Sequence, residues 1–207
     1  MQLGFANNKI ALTEWQQSVR DKLLELTRFA NISDADWRLL ETSETVVDGV
    51  RRRRHLVAFG DWTPQPIYEM LPADAPLNGK TLIALHGHGL SPFGGIYDYL
   101  DELPRRGYRC VLPILYGTME RNTKIDSDGL VEICRAWLTD ADMLGASLLG
   151  LRLFDCCLAH RFALSFDGVD SERVGVVGLS MGGELALYLA AVEPSIARCV
   201  SAGFLST

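Results

Sequence analysis

The chain lacks an excess of positive charge. Its 20 Lys and Arg stand against 26 Asp and Glu, for a formal net charge of −6. That is the wrong balance for a general nucleic-acid binder. It also lacks any C-x-x-C. The five cysteines, Cys110, Cys134, Cys156, Cys157 and Cys199, are odd in number and include one adjacent pair. They fit neither a disulfide framework nor a zinc pattern, so mostly buried, reduced thiols are expected. Residues 1–10 lack a basic segment followed by an apolar one, so no secretory signal is visible. The longest apolar stretch, around 143–151, ends at Arg152, far short of the ~20 residues that cross a bilayer. Repeats and low-complexity segments are absent too. The expectation is a soluble, cytoplasmic protein with no membrane or nucleic-acid partner.

What is present is a core. Of 207 residues, 48% are apolar and 22% charged, which excludes a disordered tail, a collagen-like polymer and a disulfide-stapled miniprotein. Thr13-Glu14-Trp15-Gln16 has capping-box spacing, and Trp15, Val19, Leu23 and Leu26 follow at helical intervals. Residues 14–29 are therefore predicted as an amphipathic helix within an N-terminal appendage (1–43), a candidate surface for a second copy of the chain. The core is assigned to 44–207. Asp48-Gly49 is a hairpin signal between extended runs 44–47 and 50–59. Arg51, Arg52, Arg53 and Arg54 would point alternately to two faces of a strand on an acidic protein, which argues against a nucleic-acid patch.

After a further short strand and the loop 72–80 the pattern becomes strand–helix alternation. Strands are predicted at 67–71, 81–85, 108–115, 174–177 and 197–202. Helices are predicted at 96–106, ended by Gly107, and at 182–192. A longer helical region, 130–165, is expected to break near Thr139 or Gly145. Residues 72–80 and 116–129 read as loops. Apolar strands alternating with helices predict an α/β fold with a mostly parallel sheet covered on both faces.

Gly178-Leu179-Ser180-Met181-Gly182 is a G-x-S-x-G. It lies between an apolar strand and a helix, the context of a nucleophile elbow. The turn is tight, so the residues two away from Ser180 must lack side chains, hence Gly178 and Gly182. It lifts the Ser180 hydroxyl above the sheet at a helix N-terminus, where the Met181 backbone N–H can hold a developing oxyanion. A dinucleotide site fits poorly. The glycine spacing is G-x-x-G-x-x-x-G, and no acid closes the next strand, where Ala202-Gly203 stands.

His86-Gly87-His88-Gly89 ends the strand 81–85, where elbow-type hydrolases place their second oxyanion donor. The backbone N–H of His88 is the candidate, with His86 tying the loop together. The alternative makes His86 and His88 metal ligands and the protein a metal-dependent hydrolase. A third and usually a fourth ligand would then be needed, and the sequence offers none nearby, so neither metal nor cofactor is expected.

Together these residues resemble the α/β-hydrolase superfamily, most closely its dienelactone-hydrolase and acetyl-xylan-esterase-like branch. The resemblance runs from about residue 45 onward. It is carried by Leu85-His86-Gly87-His88-Gly89, Arg106-Gly107-Tyr108, Leu149-Gly150-Leu151-Arg152 with Asp155, and 169–175. The elbow and Ser201-Ala202-Gly203-Phe204-Leu205 complete the set. It implies Ser180 as nucleophile of a carboxylic ester hydrolase, an oxyanion hole from the His88 and Met181 N–H groups, and small ester substrates such as acetylated carbohydrates or lactones. Relatives carry a pair like Glu120-Arg121 in the loop after the second parallel strand, where a plain surface ion pair is the competing reading. Arg152 and Asp155, three apart on a helix, are at salt-bridge spacing.

A serine nucleophile needs a base. In this fold the acid and the histidine follow the serine, yet residues 181–207 contain Glu184 and Glu193 but no Asp or His. The resemblance places both beyond residue 207, with the sheet incomplete at its C-terminal edge and this chain alone inactive. Two alternatives stay open: a catalytically dead binding module, and a site completed by another chain.

Overall fold

Asp48 and Gly49 both take positive φ, 49° and 77°, the two-residue turn whose twist suits a hairpin. In the computed structural model, which describes residues 11–28, 37–60, 63–88, 93–94, 98–121, 130–143 (backbone only to 135) and 145–204, this turn joins β1 (Trp37–Val47) to β2 (Val50–Phe59). The first strand thus begins at Trp37, seven residues before the expected 44. A register shift between Leu39 and Glu41 marks a bulge, one of the devices that disfavour pairing along an exposed edge.

The sheet continues through β3 (Gln65–Pro72), β4 (Thr81–Leu85), β5 (Arg109–Pro113), β6 (Val174–Leu179) and β7 (Arg198–Ala202), in the order β1-β2-β3-β5-β4-β6-β7. It is mixed: the pairs from β1 to β5 are antiparallel, and β5-β4-β6-β7 are parallel. Among the described residues five α-helices accompany it: α1 (Leu12–Thr27), α2 (Tyr99–Arg105), α3 (Leu130–Met143), α4 (Leu148–Leu164) and α5 (Met181–Val192).

Strand alternation divides the core between the two faces. Ile83, Leu85 and Val111 face one cluster with Leu153, Leu158, Leu185 and Leu189 from α4 and α5. Ala84, Cys110 and Leu112 face the other, with Leu100 of α2. Helix α4 is buried along most of its length, as an apolar helix in the middle of a layer must be. The predicted long helix breaks at Gly145, which takes φ 72°, and Ser147 caps α4 by accepting from the Gly150 N–H. Among the described residues no single helix is long and apolar enough to cross a membrane.

The N-terminal helix starts at Leu12 with Ala11 at the cap position and no side-chain cap, so the Thr13 box does not form. The helix is tied to the core at its middle and at its last residue. Arg20 donates to the Ala191 carbonyl, and Ser147 donates to the Thr27 carbonyl. A Cβ on Gly150 would strike that same Thr27 carbonyl, so α4 needs glycine there.

The arginine run is neutralised. Arg51 and Arg53 reach Glu44, Arg52 reaches Asp101, and Arg54 reaches Glu120. Cys110, Cys156 and Cys157 are buried thiols, whereas Cys199 is exposed on β7. The Cys134 side chain, residues 1–10, 96, 97 and Leu205, and most of loop 116–129 lie outside the described residues.

Candidate active site

Strands β4 and β6 are parallel neighbours with Leu85 opposite Gly178. Whatever follows those two residues must emerge side by side at one end of the sheet. After Leu85 come His86, Gly87 and His88. After Gly178 come Leu179 and Ser180. Ser180 is exposed and takes φ 57° and ψ −121°, a conformation that costs a non-glycine residue on the order of 1–3 kcal/mol. Its N–H donates to the Ala202 carbonyl at 2.7 Å, and its own carbonyl accepts from Glu184 at 3.0 Å, opening α5.

The glycines are required by contact. A Cβ on Gly178 would strike the Gly182 carbonyl, and one on Gly182 would strike the Leu85 carbonyl. Gly183 is equally confined, against the Ala202 carbonyl at the end of β7. Met181 is therefore the first residue of a helix pressed against the end of β4. Its N–H belongs to the turn that a helix leaves without internal partners.

His86 is fully buried. The Leu115 N–H donates to its Nε2 at 3.3 Å, and its Nδ1 lies 2.8 Å from the Gly87 carbonyl. An acceptor role for Nε2 assigns the proton to Nδ1. Burial holds this imidazole neutral, with a pKa lowered to about 4. One ring nitrogen thus engages the His86 loop itself and the other ties it to the segment after β5, which weighs against His86 as a metal ligand. Among the described residues no cluster of three or more His, Cys, Asp or Glu is placed to hold a metal ion. The His88 pKa is lowered by burial and then by the Arg152 charge.

The remaining described histidines lie elsewhere. His55 is on β2, four strands from β6 in the sheet, about 19 Å at ordinary strand spacing. It accompanies Glu69 and stacks edge-on against Phe162. His160 sits beside Glu193 and Ser195, at the far end of α5, a helix length of about 18 Å from Ser180.

Beneath the turn, two charged side chains of α4 hold the loop after β5. Asp155 accepts from the Tyr116 N–H at 2.6 Å and pairs with Arg121 at 2.7 Å. Arg152 donates to the Tyr116 carbonyl at 3.1 Å and approaches the Met181 sulfur at 3.0 Å. The helical spacing pointed to a bond between Arg152 and Asp155; in the structure both act on Tyr116. Glu120 and Arg121 also diverge. Glu120 takes Arg54 and Tyr68, while Arg121 turns inward to Asp155 and the Ile114 carbonyl. Sequence reading missed that inward turn. An arginine beside a buried aspartate on another element has no local spacing to reveal it.

A groove of about 470 Å³, lined by residues including Lys80, Tyr108, Arg173 and Arg198, opens at the starting ends of the parallel strands. It is therefore at the opposite end of the sheet from Ser180.

Comparison with known proteins agrees with this geometry. Residues 151–207 match the acetyl xylan esterase (AXE1) family model. The Bacillus subtilis (strain 168) protein YtaP, named as a hydrolase, is 28% identical over 186 residues, covering 82% of this chain and 56% of its own length. Acetyl xylan esterase 1 of Thermoanaerobacterium sp. JW/SL YS485 superposes with a TM-score of 0.61 at 22% identity, over 96% of this chain and 65% of that one. A Bacteroides fragilis NCTC 9343 protein described as an acetyl xylan esterase gives a TM-score of 0.69 at 15% identity, over 89% and 51%. The chain has the α/β-hydrolase fold, and it spans about half to two thirds of the length of these relatives.

Proposed function

We propose that this chain carries the nucleophile and oxyanion half of a serine-dependent carboxylic ester hydrolase. The observation that carries the reading is Ser180 itself. It is an exposed hydroxyl in a strained turn, held between β6 and α5 by glycine contacts that admit no side chain. Strain of this kind persists only where surrounding structure over-determines it, and it concentrates at working sites.

The reaction is acyl transfer to water. The Ser180 Oγ attacks the ester carbonyl carbon as its proton passes to a base. The carbonyl oxygen becomes an oxyanion, held by the Met181 and His88 N–H groups. The bond to the alcohol then breaks, the alcohol leaves with that proton, and water hydrolyses the acyl-enzyme to the carboxylic acid. The base and its supporting acid are assigned to chain outside residues 1–207, because His55 and His160 lie a strand array and a helix length away, and the His86 ring is committed to its loop. Acetyl esters of carbohydrates are the first substrates to try, given the matching family and the names of the similar structures.

The test is hydrolysis of p-nitrophenyl acetate by protein extended past Thr207. Turnover should be lost in Ser180→Ala, and residues 1–207 alone should show almost none. Turnover that survives Ser180→Ala would overturn the proposal. A stable extended protein with no esterase activity would favour the binding-module alternative instead.

A further inference from the structure

We infer that Arg152 is the positioning residue of the oxyanion side of this site, its buried guanidinium bracing Met181 from below and keeping positive potential under the nucleophile turn. The inference rests on the serine-esterase reading above and adds a residue to it.

Arg152 leaves α4 and is only 6% exposed. Its Nε donates to the Tyr116 carbonyl, and its Nη1 lies 3.0 Å from the Met181 sulfur. One side chain therefore joins the loop after β5 to the residue whose N–H opens α5. The placement of Tyr116 is itself fixed, because its N–H is held by Asp155 and Asp155 by Arg121. The guanidinium thus sits on a braced platform. The Met181 side chain therefore packs on a guanidinium that is itself tied to α4 and to the loop after β5.

The charge matters as well as the contact. Arg152 acts on the charge states of His86, His88 and Glu184, disfavouring the cation on both histidines and favouring the anion on Glu184. Those residues flank Ser180 on the β4 loop and on the first turn of α5. A group that opposes cations and favours anions on both sides of the turn will also favour an oxyanion formed between them. Buried charge is weakly screened, so this influence persists at ordinary salt.

The experiment uses the protein extended past Thr207, with a fluorophosphonate that esterifies the nucleophilic serine. Second-order labelling rates are compared for wild type, Arg152→Gln and Arg152→Lys, and the His88 ring is titrated by NMR in each. The inference expects Arg152→Gln to slow labelling about tenfold, less than the ~10²–10³-fold cost of removing an oxyanion donor itself, and to raise the His88 pKa. Arg152→Lys keeps the charge but not the fork that reaches Tyr116 and Met181 together, so it should leave the His88 titration near wild type and slow labelling less than Arg152→Gln does. Should Arg152→Gln fail to fold, folded Arg152→Lys carries the test alone: slowed labelling with an unshifted His88 supports the inference, and labelling at the wild-type rate overturns it. Unchanged labelling and unchanged His88 titration in folded Arg152→Gln would also overturn it, while leaving the esterase reading intact. Absence of labelling at Ser180 in the wild type would instead remove the esterase reading, and this inference with it.

Discussion

The Ser180 N–H donates to the Ala202 carbonyl at 2.7 Å, so the turn that bears the hydroxyl is bonded to the end of the neighbouring strand. Through this bond the exposed last strand of the described sheet, β7, takes part in shaping the site. Gly183, confined against the same carbonyl, repeats the connection from the helix side.

The strain at Ser180 has a stability consequence. Glycine adopts φ 57°, ψ −121° without the Cβ penalty, at some cost in unfolded-state entropy. Ser180→Gly should therefore be about 1 kcal/mol more stable than Ser180→Ala by urea unfolding. Equal midpoints would mean that the turn is not strained.

Gly182 has the opposite sensitivity. Its missing side chain is what lets α5 meet the Leu85 carbonyl. Gly182→Ala should cost on the order of 3 kcal/mol or prevent folding, as overpacking against backbone does. An unchanged unfolding midpoint would contradict the close approach of α5 to β4.

Two buried histidines set a pH dependence. His86 and His160 have folded pKa values lowered to about 4, against about 6.5 in an unfolded chain. Between those values the unfolded state binds protons that the folded state refuses. Stability is therefore full above pH 6.5 and falls as the pH drops toward 4, by roughly 3 kcal/mol for each histidine. Denaturation measured at pH 7 and pH 4.5 should show the loss, and His86→Gln should flatten part of it. A stability curve level from pH 7 to 4.5 would contradict the neutral buried rings.

The Arg121–Asp155 pair is a further lever. Both side chains are buried, at 9% and 3% exposure. Asp155→Asn leaves an uncompensated guanidinium and should cost about 3–5 kcal/mol. The double variant Arg121→Met, Asp155→Asn should recover part of that loss. A double variant as unstable as the single one would show that the pair is not coupled.

Much of this was legible in the sequence because it is local. The strand 81–85, the hairpin at Asp48-Gly49 and the elbow glycines each declare themselves through composition or adjacent residues. The long antiparallel pairing of β1 was only half visible. Its exposed residues 38–43 alternate poorly, since an edge strand exposed on both sides needs no apolar face. The network around Tyr116 was least visible. Arg121, Asp155 and Arg152 converge there from two elements, and only the fold brings them together. His160, beside Glu193 and Ser195, shows the reverse: a histidine present in the sequence that the fold carries away from the nucleophile.

The central claim is that Ser180 is the nucleophile. The direct measurement is mass spectrometry of the extended protein after treatment with a fluorophosphonate, mapped to the peptide containing residues 178–183. The account expects a single phosphonyl adduct on Ser180 that disappears in folded Ser180→Ala. An adduct that persists in Ser180→Ala, or one found on another residue, would contradict it.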